Sequence, residues 1–151
     1  MSLGIVVLNW NGRDVTPRCL DSIFRSSRPP DAVLVVDNGS RDGSTDIVRA
    51  LYPQAIVIEN QRNLGFAEGC NIGIQYLLDL NFDFVLLLNN DAEVDPECLL
   101  ELTKAAVAYP AAAYAPVIFQ HDLPTKVWFS GGTIDRLTLE ARRLSALVTR
   151  G

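Results

Sequence analysis

The chain has 151 residues, of which 48% are hydrophobic and 21% charged, and its formal net charge is −5. That length suits one domain with a proper core, and the composition is that of a globular chain rather than a disordered one. The acidic balance argues against a broad electrostatic grip on nucleic acid, so a phosphate-bearing ligand needs a local device such as a helix N-terminus, an arginine or a cation.

Short β-branched runs alternate with helix-period segments along the chain. Residues 3–9, LGIVVLN, read as a strand, and the spacing of Val15, Cys19, Ile23 and Phe24 predicts a helix over 14–27. AVLVVDN (32–38) is a second strand, followed by a helix ending at Leu51 that Asp42 or Ser44 caps. AIVIEN (55–60) is a third strand, after which Phe66, Cys70, Ile74, Leu77 and Leu78 trace the inner face of another helix. FDFVLLLNN (82–90) is a fourth, and Asp95 with Pro96 opens a helix that runs to Ala108. Continuous apolar strands joined through helices indicate an open, doubly wound α/β sheet with mostly parallel strands and helices on both faces.

Cys19, Cys70 and Cys98 are odd in number, fall in predicted helices and form no C-x-x-C pair, as expected of reduced thiols in a cytosolic protein. No apolar run approaches the ~18 residues of a membrane span. The apolar start also lacks the basic residues of a signal peptide. The expected location is cytoplasmic, at most at the inner face of the membrane.

Each strand ends in polar residues: Asn9; Asp37 and Asn38; Glu59 and Asn60; Asn89, Asn90 and Asp91. Ligands of open α/β sheets bind beyond these carboxyl ends, so the pattern points to a crevice. The loop after the first strand lacks G-x-G-x-x-G, and the chain has no P-loop, so a dinucleotide or P-loop nucleotide is not expected. Asp91 offers a carboxylate to Mg²⁺ or Mn²⁺, which Mg²⁺ commonly shares with substrate phosphates. Asn89 can bond a sugar hydroxyl. Asp37 suits the imide N–H of a pyrimidine, with an Asx turn as the alternative. Trp10 either stacks on that ring or belongs to the core.

VLNWNGRD, VVDNGSRDGSTD, NQRNLGFAEGCNIGI and LLLNNDAEVDP, in this order, resemble the nucleotide-binding half of family 2 GT-A glycosyltransferases over roughly residues 3–135. Within that family they are most similar to the bacterial rhamnosyltransferase-like group. The resemblance implies a GT-A fold with one nucleotide-sugar-binding domain over 1–151. It also implies inverting transfer of a sugar, rhamnose in that subgroup, from a dTDP- or UDP-linked donor to a glycan or lipid-linked acceptor, assisted by Mn²⁺ or Mg²⁺. By the same resemblance, Asn9, Trp10, Asp37, Asn38, Asn63, Asn89 and Asn90 face the nucleotide and Asp91 holds the metal. Asn89 departs from the first aspartate of D-x-D, which weakens the hold on cation. Arg62 faces either diphosphate or solvent.

The family's acceptor-binding half has no counterpart in the sequence, and its general base is expected downstream of Gly151. WFSGGTIDR resembles the segment leading toward that half, or is a glycine turn between strands. Asp135 and Glu140 are carboxylates with no assigned role, His121 is expected in an exposed loop, and Leu144, Leu147 and Val148 suggest a short amphipathic helix. The chain by itself should bind donor and turn over poorly. A non-catalytic nucleotide-sugar-binding module is the alternative. A nucleotidyltransferase fits least, because LNWNGRDVTPR is a poor match for its glycine- and lysine/arginine-rich loop. A sheet cut partway exposes an edge, so self-association is expected.

Overall fold

The computed structural model describes residues 1–109, 113–134 and 141–143. The chain divides into two compact units, Met1–Leu99 and Leu100–Gly151.

The first unit alternates strand and helix: β1 (Leu3–Asn9), α1 (Thr16–Phe24), β2 (Ala32–Asp37), α2 (Ser44–Leu51), β3 (Ile56–Glu59), α3 (Phe66–Asp79) and β4 (Phe84–Asn89). The start of α4 (Cys98–Ala108) closes it. The strands form one parallel sheet in the order β3-β2-β1-β4. Helices cover β1 and β2 on both faces, which is why their sequences are apolar without alternation. On one face Ile5, Val7, Val33 and Val35 pack with Cys19, Leu20 and Ile23 of α1, Val48 of α2 and Leu99. On the other, Val6, Leu34 and Val36 pack with Leu77 of α3.

The helices depart from the sequence expectations in three informative places. α1 begins at Thr16 rather than 14, because Val15 and Thr16 donate their backbone N–H groups to the Gly12 carbonyl and form a turn first. It ends at Phe24 rather than 27. α2 has Gly43 as its N-cap residue, at φ 76°, and no side-chain cap. Asp42 instead accepts the Ser44 N–H at 3.0 Å, and Ser44 is the first helical residue. In α3, Cys70 and Leu77 point inward, but Phe66 is 60% and Leu78 51% exposed. The packing face there contains Gly69 and Gly73, so the backbone itself lies against the sheet. A Cβ on Gly73 would stand 2.5 Å from Val6 Cγ1 and 3.1 Å from Val36 Cγ2. Apolar periodicity overlooks a face made by missing side chains.

β4 enters a turn in which Asp95 accepts N–H groups from both Glu97 and Cys98, so α4 starts at Cys98, two residues past Pro96. The second unit contains the antiparallel pairs β5 (Ile118–Phe119) with β6 (Val127–Phe129), and β7 (Gly132–Ile134) with β8 (Ala141–Arg143). Gly131, at φ 110°, lies in the link between β6 and β7, as expected of a glycine turn between strands. His121 is exposed in the loop between β5 and β6. Asp135, Glu140, Leu144, Leu147 and Val148 lie outside the residues whose side chains are described. Among the described residues, no helix is long and apolar enough to cross a membrane.

Candidate functional site

Parallel register brings the carboxyl ends of all four strands to one edge of the sheet: Asn9 is level with Asp37, Asp37 with Glu59, and Leu8 with Asn89. β1 lies between β2 and β4, so the direction of chain winding reverses there. In open α/β sheets such a reversal is where ligands bind.

Beneath the crevice is a buried polar hub. The Asn9 amide donates to Asp37 Oδ1 at 2.6 Å and to Ser44 Oγ at 2.9 Å. Asn9 Oδ1 accepts the Thr16 hydroxyl at 2.7 Å and the Asn90 amide at 3.1 Å, and Asn90 also donates to Thr16 Oγ1 at 3.1 Å. Asp37 accepts the Ser40 hydroxyl at 2.5 Å on Oδ1 and the Ser40 N–H at 2.9 Å on Oδ2. Gly12 closes the hub from above. A Cβ there would stand 2.1 Å from Asn90 Nδ2, 2.3 Å from Thr16 Oγ1 and 2.4 Å from Asn9 Oδ1. Satisfied in this way, buried amides and a carboxylate avoid the desolvation penalty of unpaired groups and rigidify the strand ends.

Two further sets of bonds join the loops. Asn11 donates its N–H to Ser40 Oγ at 2.8 Å and accepts the Arg41 N–H at 2.9 Å, stitching the β1 and β2 exits together. Asp42 accepts the Arg13 N–H at 2.8 Å. Burial works against the charge of Asp42, but its bonds from Ser44 and Arg13 outweigh that and hold the carboxyl below its ordinary range. On the α3 side, Asn38 donates to the Gly65 carbonyl at 2.9 Å and to Asn63 Oδ1 at 3.3 Å, and it accepts the Asn60 amide at 2.9 Å.

The residues expected at the nucleotide therefore divide. Trp10 is 57% exposed at the exit of β1, so it is not a core residue. Asn63, Asn89, Asp91 and Arg62 are exposed as well. Asn9, Asp37 and Asn38 are buried, and Asn90 turns its amide inward. Asp37 is 2% exposed, and each of its oxygens accepts a bond from the protein. At the exit of β4 the residues alternate, Asn89 and Asp91 outward and Asn90 inward, whereas the consecutive Asp37 and Asn38 are both buried because each finds partners inside the protein. Thr16 and Ser40 escaped sequence reading, and Ser44 was read only as a helix cap. Hydroxyl residues shortly after the first two polar strand ends were the available signal.

Asp91 and Glu93 are exposed near the end of β4, and among the described residues no group of three His, Cys, Asp or Glu side chains is placed to hold a metal. One exposed carboxylate beside an amide fits a hard cation that arrives with a diphosphate, since Mg²⁺ keeps waters and phosphate oxygens as its other ligands. It does not fit a resident all-protein metal centre. Cys19, beneath this loop, is no candidate ligand. Burial first, then the negative charges of Asp91 and Glu93, push its thiol up to about 12.

The sequence profile described as Glycosyl transferase family 2 matches residues 4–147. Galactofuranosyltransferase GlfT1 of Mycolicibacterium smegmatis is 28% identical over 91% of this chain and 47% of its own length. An N-acetylglucosaminyl-diphospho-decaprenol L-rhamnosyltransferase of Mycobacterium tuberculosis is 28% identical over 80% of this chain and 42% of its own. The chain thus spans less than half the length of these curated relatives. Among solved structures, S. aureus TarS 1–349 superposes with a TM-score of 0.64 at 21% identity, over 73% of this chain and 33% of that one. The mannosyltransferase PcManGT of Pyrobaculum calidifontis, solved with GDP-Man and Mn²⁺, gives 0.60 at 25% identity, over 69% and 32%.

Proposed function

The chain belongs to glycosyl transferase family 2, and we propose that it is the donor-binding part of an enzyme that transfers a sugar from a nucleoside diphosphate to an acceptor hydroxyl with inversion. The observation that carries this reading is the pair Asn89 and Asp91, exposed two residues apart at the carboxyl end of β4, next to the strand whose exit carries the exposed Trp10. In this reading Trp10 stacks on the base, Asn63 bonds its edge and Asn89 bonds the ribose. Asp91 holds Mn²⁺ or Mg²⁺ against the diphosphate. When bound, the cation neutralises the charge that develops on the diphosphate as the glycosidic bond breaks. Asn9, Asp37, Asn38 and Asn90 act from below by fixing the loops that bear these groups.

The names of the relatives support a hexose or deoxyhexose donor, galactofuranose or rhamnose, and a polyprenyl-linked glycan as acceptor. The base that deprotonates the acceptor is assigned outside residues 1–151. The isolated chain then binds donor but transfers it poorly, since loss of general-base catalysis typically costs 10²–10⁴-fold.

The test is thermal stability with UDP, dTDP and GDP, each with and without Mn²⁺, on the wild type and on Asp91→Ala. A nucleotide at 100 times its Kd should stabilise by about 2.7 kcal/mol. A manganese-dependent gain with one nucleotide, absent in Asp91→Ala, is the expected result. Stabilisation by none of the three overturns the donor-site reading. Donor binding without transfer, even by a longer chain that carries the acceptor half, would instead identify a non-catalytic binding module.

A further inference from the structure

The exit of β4 is held from beneath by one stripe of α1. Thr16, Cys19 and Ser22 recur every three residues, and all are buried. Residues at that spacing lie on one side of a helix. Each meets a different point of the segment after β4. Thr16 Oγ1 accepts the Asn90 amide at 3.1 Å. The Cys19 thiol donates to the Asn89 carbonyl at 3.6 Å, within the longer reach of sulfur. Ser22 Oγ donates to the Cys19 carbonyl at 2.7 Å and accepts the Val94 N–H at 3.0 Å. A further turn closes the segment on itself, with the Ala92 N–H donated to the Asn89 carbonyl at 3.1 Å.

Residues 89–94 carry no helical bonds and only the last rung of the sheet, so they have little order of their own. The three contacts supply it, and they have a directional consequence. With Asn90 drawn down onto Thr16 and Asn9, and the Gly12 backbone packed close against all three, the residues on either side are turned outward. Along the segment Asn89, Asp91 and Glu93 are exposed, and Asn90, Ala92 and Val94 between them are half-buried.

We infer that the α1 stripe Thr16, Cys19 and Ser22 is a clamp that sets the orientation of the Asn89 and Asp91 side chains, with Asn90 as its grip on β4. These are positioning residues. In this arrangement they act through the segment after β4, with the Asn90 amide engaged by Thr16 and Asn9. The inference deepens the donor-site reading above and rests on it for its functional consequence. Preorganised side chains bind more tightly because less freedom is lost on binding.

The test compares the full chain with Thr16→Val, which removes the hydroxyl at constant shape, Ser22→Ala, and Thr16→Ser, which restores the hydroxyl. Two quantities are read on each. The first is the Mn²⁺-dependent dissociation constant of the nucleotide that binds the wild type, and the second is the backbone ¹⁵N order parameter at residues 89–94 without ligand. The clamp predicts about tenfold weaker binding in Thr16→Val and Ser22→Ala, a loss of the size expected for one positioned group. It also predicts order parameters falling from about 0.85 toward 0.6 in both. Thr16→Ser should stay within about twofold of wild type in binding. A segment that stays equally rigid in Thr16→Val and Ser22→Ala, or a Thr16→Ser chain as impaired as Thr16→Val, overturns the inference. A wild type that binds no nucleotide sinks the donor reading alone, because the order parameters still decide whether the clamp exists.

Discussion

Gly73→Ala separates two effects of opposite sign. In an isolated helix the change is favourable, since Ala exceeds Gly by about 1 kcal/mol in helix propensity. In α3 the new methyl group would lie 2.5 Å and 2.9 Å from the two methyls of Val6 and 3.1 Å from Val36 Cγ2. Val6 and Val36 are both buried and belong to the small core beneath α3, so neither has space to retreat. Both are β-branched and stiff at χ1, which removes the cheap rotamer escape. Overpacking of that kind costs about 1–3 kcal/mol. The steric term wins, and the net expectation is a loss of about 1 kcal/mol. Urea unfolding of the wild type, Gly73→Ala, Val6→Ala and the double variant measures it. In the double variant the methyl group occupies the space that Val6 vacates, so the two losses should add to less than their sum by about 1 kcal/mol or more. A gain of about 1 kcal/mol in Gly73→Ala would show that propensity alone governs the site and refute close contact between α3 and the sheet.

Three further outcomes follow from particular side chains. The hydroxyl of the buried Tyr52 lies 2.8 Å from both the Pro17 carbonyl and Asp21 Oδ1, while its ring stacks on Phe24 at 5.9 Å. Tyr52→Phe keeps the stack and should cost about 1 kcal/mol in urea unfolding, the usual net worth of a buried hydrogen bond; an unchanged midpoint would show that this hydroxyl contributes nothing. Burial, and then Asp91 and Glu93, raise the Cys19 thiol from 9.0 to about 12, and burial followed by the Asp21 hydrogen bond raises Tyr52 from 10.0 to about 12. Both groups hold their protons more tightly folded than unfolded. Their contribution is therefore complete below pH 9 and is lost as pH rises toward 12. Urea stability should fall across that window with a shallower slope in Cys19→Ala. At pH 8, Cys19 should react with a thiol reagent only as fast as the chain opens, and prompt modification would contradict its burial.

Much of this protein was legible before any coordinates. β1 matches the predicted bounds from Leu3 to Asn9, and β2, β3 and β4 match within two residues at each end. Unbroken β-branched runs leave few alternatives to a strand covered on both faces. The four polar strand ends lie together at one edge of the sheet, because parallel strands share the side on which they exit. Helix ends were less legible. Gly12 diverts the first turn of α1, and Gly43 takes the N-cap position that Ser44 or Asp42 was expected to fill. Both depend on backbone conformation, which side-chain identity constrains only weakly.

The division of labour within the site was not legible at all. In sequence, Asp37 and Asn38 are adjacent polar residues, and so are Asn89, Asn90 and Asp91; nothing in the order of residues says which faces a ligand. Sequence by itself determined the sheet, its layers and the place where polar groups collect, because these follow from local periodicity and hydrophobic burial. Only tertiary structure decided that Asp37 and Asn90 look inward while Trp10, Asn89 and Asp91 look out. Their partners are Asn9 and Ser40 for Asp37 and Asn9 and Thr16 for Asn90, brought in from β1, α1 and the loop after β2, and a buried polar side chain turns toward whichever partner can satisfy it.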